Sequence, residues 1–132
     1  MSALPNLAEQ RVANWLAGVA TTAPVLPYKL VLLTVLGSDT AFGTEVVGGS
    51  YARPTLTLAV AALDAVDDDY YVGNSALVRI ENMPAGDIVG AALLDSAATP
   101  FRWFHGPLAT TRTLLAGDPV EFAANTITFK LR

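Results

Sequence analysis

Residues 28–36 read YKLVLLTVL, a run in which Lys29 and Thr34 are the only interruptions among large apolar side chains. It is far short of the roughly 20 consecutive apolar residues that cross a bilayer, and of strand length instead. Apolar side chains on both alternations mark a strand covered on each face, which places it in the interior of a sheet. The rest of the chain must therefore supply cover on two sides.

Downstream, residues 37–43 read as a loop. Beyond it the runs 45–47, 51–60, 76–80, 87–94, 101–104, 112–115 and 120–131 are each bounded by Gly, Pro, Asn or Asp. Short strands at that spacing are an all-β signature. Two of the runs alternate as half-buried strands do: Leu56, Leu58 and Val60 against Thr55, Thr57 and Ala59, and Ile127, Phe129 and Leu131 against Thr126, Thr128 and Lys130. The alanine-rich stretch 59–65 reads as a helical turn or, better beside Asp67, Asp68 and Asp69, as an exposed connection. Upstream, residues 20–27 carry two prolines and break any helix. Before them Leu4, Leu7, Ala8, Val12, Trp15 and Leu16 recur at three- and four-residue steps, so a helix is predicted over 4–17, capped by Asn6 or Ser2 and stopped by Gly18. The expected architecture is a single domain over 1–132, mainly β: a jelly-roll-like β-sandwich of about eight strands over 28–132 behind a short N-terminal α-helix.

Composition bounds the function. A chain of 132 residues buries roughly two thirds of its unfolded surface and needs no disulfide or metal to hold it. Hydrophobic residues make up 52% and charged residues 15%, where an ordinary soluble domain is about a quarter charged. With a mean hydropathy of +0.42, part of the exterior is expected to be covered by partners, which points to self-assembly. A net charge of −4 at a pI near 4.7 offers no basic footprint, so nucleic acid is not an expected partner. No membrane span is expected, and the first residues lack the basic and apolar regions of a secretory signal. Cysteine is absent, which removes thiol chemistry.

Candidate chemistry is sparse. His105 is the only histidine, and in FRWFHGPL it reads as a packing or turn residue rather than a catalytic base. Three adjacent carboxylates at Asp67, Asp68 and Asp69 point in different directions, unlike the alternating ligands of a calcium loop, so a solvated acidic loop is expected. Gly43, Gly48 and Gly49 lack the Lys-Ser/Thr ending of a phosphate loop and read as turn residues. Glu45, Glu81 and Glu121 form no recognisable catalytic pair. Phe101, Trp103 and Phe104 beside Arg102 suit either a sugar platform or core packing with an oligomer contact. Strand alternation would put Phe101 and Trp103 on one face and Arg102 and Phe104 on the other. Arg53, held extended by Pro54, is placed to pair with Glu45.

The segment GTEVVGGSYARPTLTL, from Gly43, resembles a block of small proteins from tailed-phage structural gene clusters, of the tail-fibre or minor tail type. The likeness extends in order through LAEQRVANWLAG, YKLVLLTVL, YYVGNSALV, DIVGAALLDS and the closing GPLATTRTLLAGDPVEFAANTITFKL, whose AGD-x-x-x-F ending begins at Ala116. The resemblance implies a virion component with no catalytic residue, cofactor or metal to carry over. The resulting expectation is a non-enzymatic structural component of a tailed-phage virion, made in the host cytoplasm and assembled in multiple copies as a minor tail, tail-fibre or capsid-decoration protein. Its expected partners are itself, as a trimer for example, and other capsid or tail subunits, through contacts at Leu4, Trp15, Leu16, Trp103 and Phe104. The alternative is a receptor- or carbohydrate-binding module for host adsorption.

Overall fold

The computed structural model describes residues 4–130. One helix, α1 (Asn6–Leu16), precedes ten strands: β1 (Tyr28–Val35), β2 (Thr44–Glu45), β3 (Thr55–Leu56), β4 (Ala62–Asp64), β5 (Asp69–Gly73), β6 (Val78–Ile80), β7 (Gly86–Leu94), β8 (Arg102–Leu114), β9 (Val120–Phe122) and β10 (Thr128–Lys130). The chain is mainly β with one short N-terminal helix, and every pairing is antiparallel. The principal sheet runs β2-β1-β7-β8, with β3 also on β1; β10-β5-β4 and β6-β9 form two smaller sheets. Side chains from all three meet in one core, a sandwich-like arrangement.

β1 holds the centre as its sequence requires. Leu30 and Leu32 enter the main core with Ile88, Leu93, Phe122 and Phe129. Val31 and Leu33 point to the opposite face, where they pack with Ala92 and Leu94. All four β1 residues are fully buried. The second face is closed in part by the β1–β2 loop, because Arg102 stands opposite Leu94 and donates to the carbonyls of Ser38, Asp39 and Ala41 at 2.7–3.3 Å. His105, opposite Ala92 and itself buried, sets its Nε2 3.2 Å from Asp39 Oδ1 and clamps the same loop. Helix α1 reaches β8 and turns Ala8 fully inward. Pro5, not Asn6, is its N-cap, and the Pro5 carbonyl accepts from Ala8 and Glu9; Ser2 lies outside the described residues.

Several expected boundaries move. The runs 101–104 and 112–115 are one strand, β8, which passes from Pro107 opposite Gly90 to Arg112 opposite Ile88 and so leaves residues 108–111 facing Val89 alone. That bulge absorbs the residues between the two expected runs. The run 51–60 reduces to β3 and an isolated bridge at Leu58. The run 120–131 divides into β9 and β10 at a turn where Asn125 has φ 61, and Leu131 falls outside the described residues. The alanine-rich stretch is neither helical turn nor plain connection, for its residues 62–64 form β4, hairpinned to β5. Asp67 and Asp68 lie in that hairpin's turn, and the loop is not merely solvated: Lys130 Nζ sits 2.7 Å from Asp64 Oδ2 and 2.5 Å from Asp67 Oδ2. Lys130 therefore ties the turn to β10 and holds the Asp64 carboxyl below its usual value.

Two polar hubs fix the smaller pieces. The fully buried Asn74 donates to the carbonyls of Ala76 and Ala123 at 2.8 and 2.9 Å, and its Oδ1 accepts from Ile127 N at 3.0 Å. It therefore stitches the end of β5 to the turn between β9 and β10. The second hub is the expected pair of Arg53 and Glu45, which the structure forms as a two-pronged bridge at 2.8 and 2.9 Å. Tyr51 Oη donates to Glu45 Oε1 at 2.9 Å and accepts the N–H of Leu32 at 3.0 Å, so the ion pair is wired to β1. The Arg53 hydrogen bonds hold Glu45 below its ordinary carboxyl value against an upward push from burial, helped by Tyr51.

Replacing Asn74 with Ala leaves the buried Ile127 N–H without its acceptor and removes the donor shared by the Ala76 and Ala123 carbonyls, and is expected to cost about 2 kcal/mol, a fall of roughly 7 °C in melting temperature by calorimetry. A variant melting within a degree or two of wild type would contradict the hub. For Glu45 the folded value is the lower one, so its stabilisation is complete above the unfolded value of about 4.3 and is lost as pH falls through the folded value. Arg53→Ala is expected to remove about 1 kcal/mol at neutral pH and progressively less in acid. Denaturant melts showing the same deficit from neutral pH to about pH 3 would refute this.

Candidate functional site

The five residues proposed for assembly divide by location. Leu4 is buried at the foot of α1, and Phe104, opposite Leu93, packs into the main core with its ring 5.3 Å from that of Phe129. The apolar area of both is used inside the subunit. Trp15 and Leu16 are 68% and 73% exposed, while Trp103 is half-buried at the start of β8.

The expected alternation at 101–104 holds for Phe101 and Trp103, which lie together, and fails for Arg102 and Phe104 for a local reason. Phe104 pairs with Leu93 and Arg102 with Leu94, two β7 residues on opposite faces, so Trp103 is an extra residue at a register shift. A bulge of this kind re-aims a side chain. It separates Arg102 from Phe104, while Trp103 stays beside Phe101 as expected, their ring centroids 4.9 Å apart in an edge-on contact. The sugar platform weighed at Phe101–Phe104 with Arg102 is thereby dismantled, since Arg102 grips the β1–β2 loop and Phe104 is in the core.

In its place the fold assembles a groove that spacing along the chain could not reveal. Trp103 forms one wall; Arg11, Val12 and Trp15 of α1 form another; residues 21–24 close it. Its volume is about 390 Å³. The chain has two tryptophans, and both line this groove. The Arg11 guanidinium lies 3.5 Å from the Phe101 ring centre and 5.4 Å from that of Trp103, a cation–π stack that pins helix to strand. Arg11 also donates to the Thr22 carbonyl at 3.4 Å.

Behind these walls Asp95, almost fully buried, accepts four hydrogen bonds: from the N–H groups of Phe101 at 2.8 Å, Ala97 at 3.2 Å and Val25 at 3.4 Å, and from the Trp103 indole at 3.3 Å. Burial pushes this carboxyl upward, but the four donors outweigh it and hold it below its usual value. One carboxylate thus joins the segment before β1, the β7–β8 turn and the Trp103 ring. The stretch DIVGAALLDS does not single out the carboxylate at 95, because its role depends on the fold bringing the Val25 N–H, 70 residues away, and the Trp103 indole to it alongside the nearby Ala97 and Phe101 amides. Asp95→Ala is expected to cost about 3 kcal/mol in urea unfolding and to move the tryptophan emission to longer wavelength. Unchanged emission would mean that the Trp103 wall stands without it.

Outward from the groove the N-terminal segment stays apolar and uncovered. Leu7, Leu16, Val19 and Leu26 are all more than half exposed, and Glu9 and Arg11 are the only charges in residues 4–27. No helix among the described residues is long and apolar enough to cross a membrane, and no cluster of metal-ligating side chains occurs among them.

A comparison with curated proteins gives no match. The family model described as podophage GP4 fiber I protein gp80 matches residues 3–130, nearly the whole chain, from the helix through the last strand. The chain therefore belongs to the podophage GP4 fiber I protein family, which makes it a fibre-type structural protein of a phage particle.

Proposed function

We propose that this fibre-type protein works without turnover, assembling in multiple copies on the virion through the apolar face of its N-terminal segment. The observation that carries the reading is the placement of exposed apolar area. Leu7, Leu16, Val19 and Leu26 lie within one nearly uncharged stretch, on a chain whose charged fraction is little more than half the ordinary level. Left in water, that surface would be a liability; against neighbouring copies or another virion subunit it supplies association energy. Each leucine covered contributes about 2 kcal/mol.

The fibre family supports a tail-fibre setting over capsid decoration. A trimer suits the reading, with Leu16 at the contact, Trp15 at its border and a tail subunit as the docking partner. The reading gives His105 a structural part, with its Nε2 against Asp39 and the β1–β2 loop held in place.

Light scattering on the full chain is expected to show a defined oligomer that the double variant Leu7→Glu, Leu16→Glu converts to folded monomer, with its melting profile kept. An oligomer of unchanged mass in that variant would overturn the proposed face. A wild-type chain that stays monomeric at all concentrations would overturn self-assembly.

A further inference from the structure

We infer that β4 is a docking edge for β4 of a second copy of this chain, paired antiparallel across a two-fold axis. Backbone alternation fixes what the edge offers. Asn74 N donates to the Ile127 carbonyl on one side, and the neighbouring Gly73 carbonyl accepts from Ala59 N on the other. Successive residues here bond the β10 side and the β4 side in turn, so Tyr71 spends its backbone groups on Ala62 opposite it. Ala61 and Leu63 therefore turn their N–H and C=O groups to the open side, where β4 ends its sheet. An open row of such groups takes another strand.

The other strand edges among the described residues are blunted. β2 and β3 are two residues long, β8 carries Pro107 and the bulge at 108–111, and β6, β9 and β10 carry Arg79, Glu121 and Lys130. Residues 57–63, in contrast, hold no charge and no proline. Asp64 is folded back, accepting from Val66 N at 3.0 Å and from Lys130 Nζ at 2.7 Å. The side chains along this edge are apolar and uncovered: Val60 and Val66 are 92% exposed, and Leu63 and Tyr70, opposite each other on one face, are half exposed.

Shape and charge select the occupant. With the axis at Ala62, that residue meets its own copy in the close, non-hydrogen-bonded position a small side chain suits, and Leu63 exchanges hydrogen bonds with Ala61 of the second copy. The two Leu63 side chains then lie diagonally across the seam, flanked by the two Tyr70 rings, as one apolar row. Antiparallel pairing also sends the acidic turns at Asp67 and Asp68 to opposite ends, each near the uncharged residues 57–59 of the other copy. Parallel pairing would set the turns side by side, where like charges repel. Both open edges are consumed, so the contact closes at two copies.

This surface is separate from the N-terminal face, and the inference does not rest on that reading. A contact between residues 59–64 of each copy is far smaller than the roughly 20 to 30 residues a side of a stable interface. In dilute solution it leaves the mass of the particle to the N-terminal face, and a disulfide is the means of capturing it.

The chain has no cysteine, so a single introduced one reports a single contact. Ala62→Cys would stand opposite itself across the axis, at a Cα separation that a disulfide spans. Val47→Cys, outside β4 at a site 86% exposed, is the collision control. Under mild oxidation, followed on non-reducing gels, Ala62→Cys is expected to dimerise about tenfold faster than Val47→Cys. Adding Leu63→Lys or Ala61→Lys, each of which puts a charge on the edge, is expected to return it to the control rate with the melting curve kept. The Leu7→Glu, Leu16→Glu background is expected to leave it unchanged, so either reading can fail without the other. Equal rates at 62 and 47, a dimer indifferent to both lysine variants, or one lost in the double glutamate background would each overturn the pairing.

Discussion

Everything in this fold follows from burying β1 on both faces. Four consecutive side chains, Leu30 to Leu33, have no water on either side, and each removed from water is worth roughly 2 kcal/mol. A chain of this size cannot cover such a strand with one sheet. One face is met by the smaller sheets through Phe122, Ile127 and Phe129. The other pairs Val31 and Leu33 with Ala92 and Leu94 of β7 and lies beneath a loop that Arg102 and His105 hold in place. The long β8 is the strand that serves both sides, with Phe104 in the main core and Arg102 turned away from it.

The residues that carry the family resemblance are architectural. In GTEVVGGSYAR, Glu45, Tyr51 and Arg53 form one network ending on the Leu32 amide. Gly49, at φ 55, lies so close to Asn82 that a Cβ there would sit 2.3 Å from its carbonyl oxygen. In the closing AGD-x-x-x-F pattern, Gly117 takes φ 92 and donates to the Met83 carbonyl, while Asp118 accepts from Leu115 N at 2.9 Å to tie the turn before β9. These positions hold the frame.

The sequence was most legible where burial is periodic. YKLVLLTVL marked a doubly covered strand, Thr55–Leu56 and Thr128–Phe129 alternate as expected, and Arg53 with Pro54 beside it pointed to Glu45. It misled where register and long-range hydrogen bonds decide. The four residues of β8 set against Val89 alone and the shift at Trp103 depend on what β7 places opposite, so alternation within 101–104 could not report them. The helix face was half right: Leu4, Ala8 and Val12 turn inward, whereas Leu7, Trp15 and Leu16 stay exposed. Asp95 was invisible because nothing in the sequence shows that the β7–β8 turn folds its amides and the Trp103 indole onto that carboxylate, with Val25 added from 70 residues away.

The account's central claim is that a fibre-type subunit assembles on the particle through its N-terminal apolar face. Cryo-electron microscopy of purified virions tests it most directly. The account expects several copies in a fibre of the tail, with Leu7 and Leu16 covered at contacts between subunits. Copies confined to the capsid lattice, or copies on the tail with that face in open solvent, would contradict it.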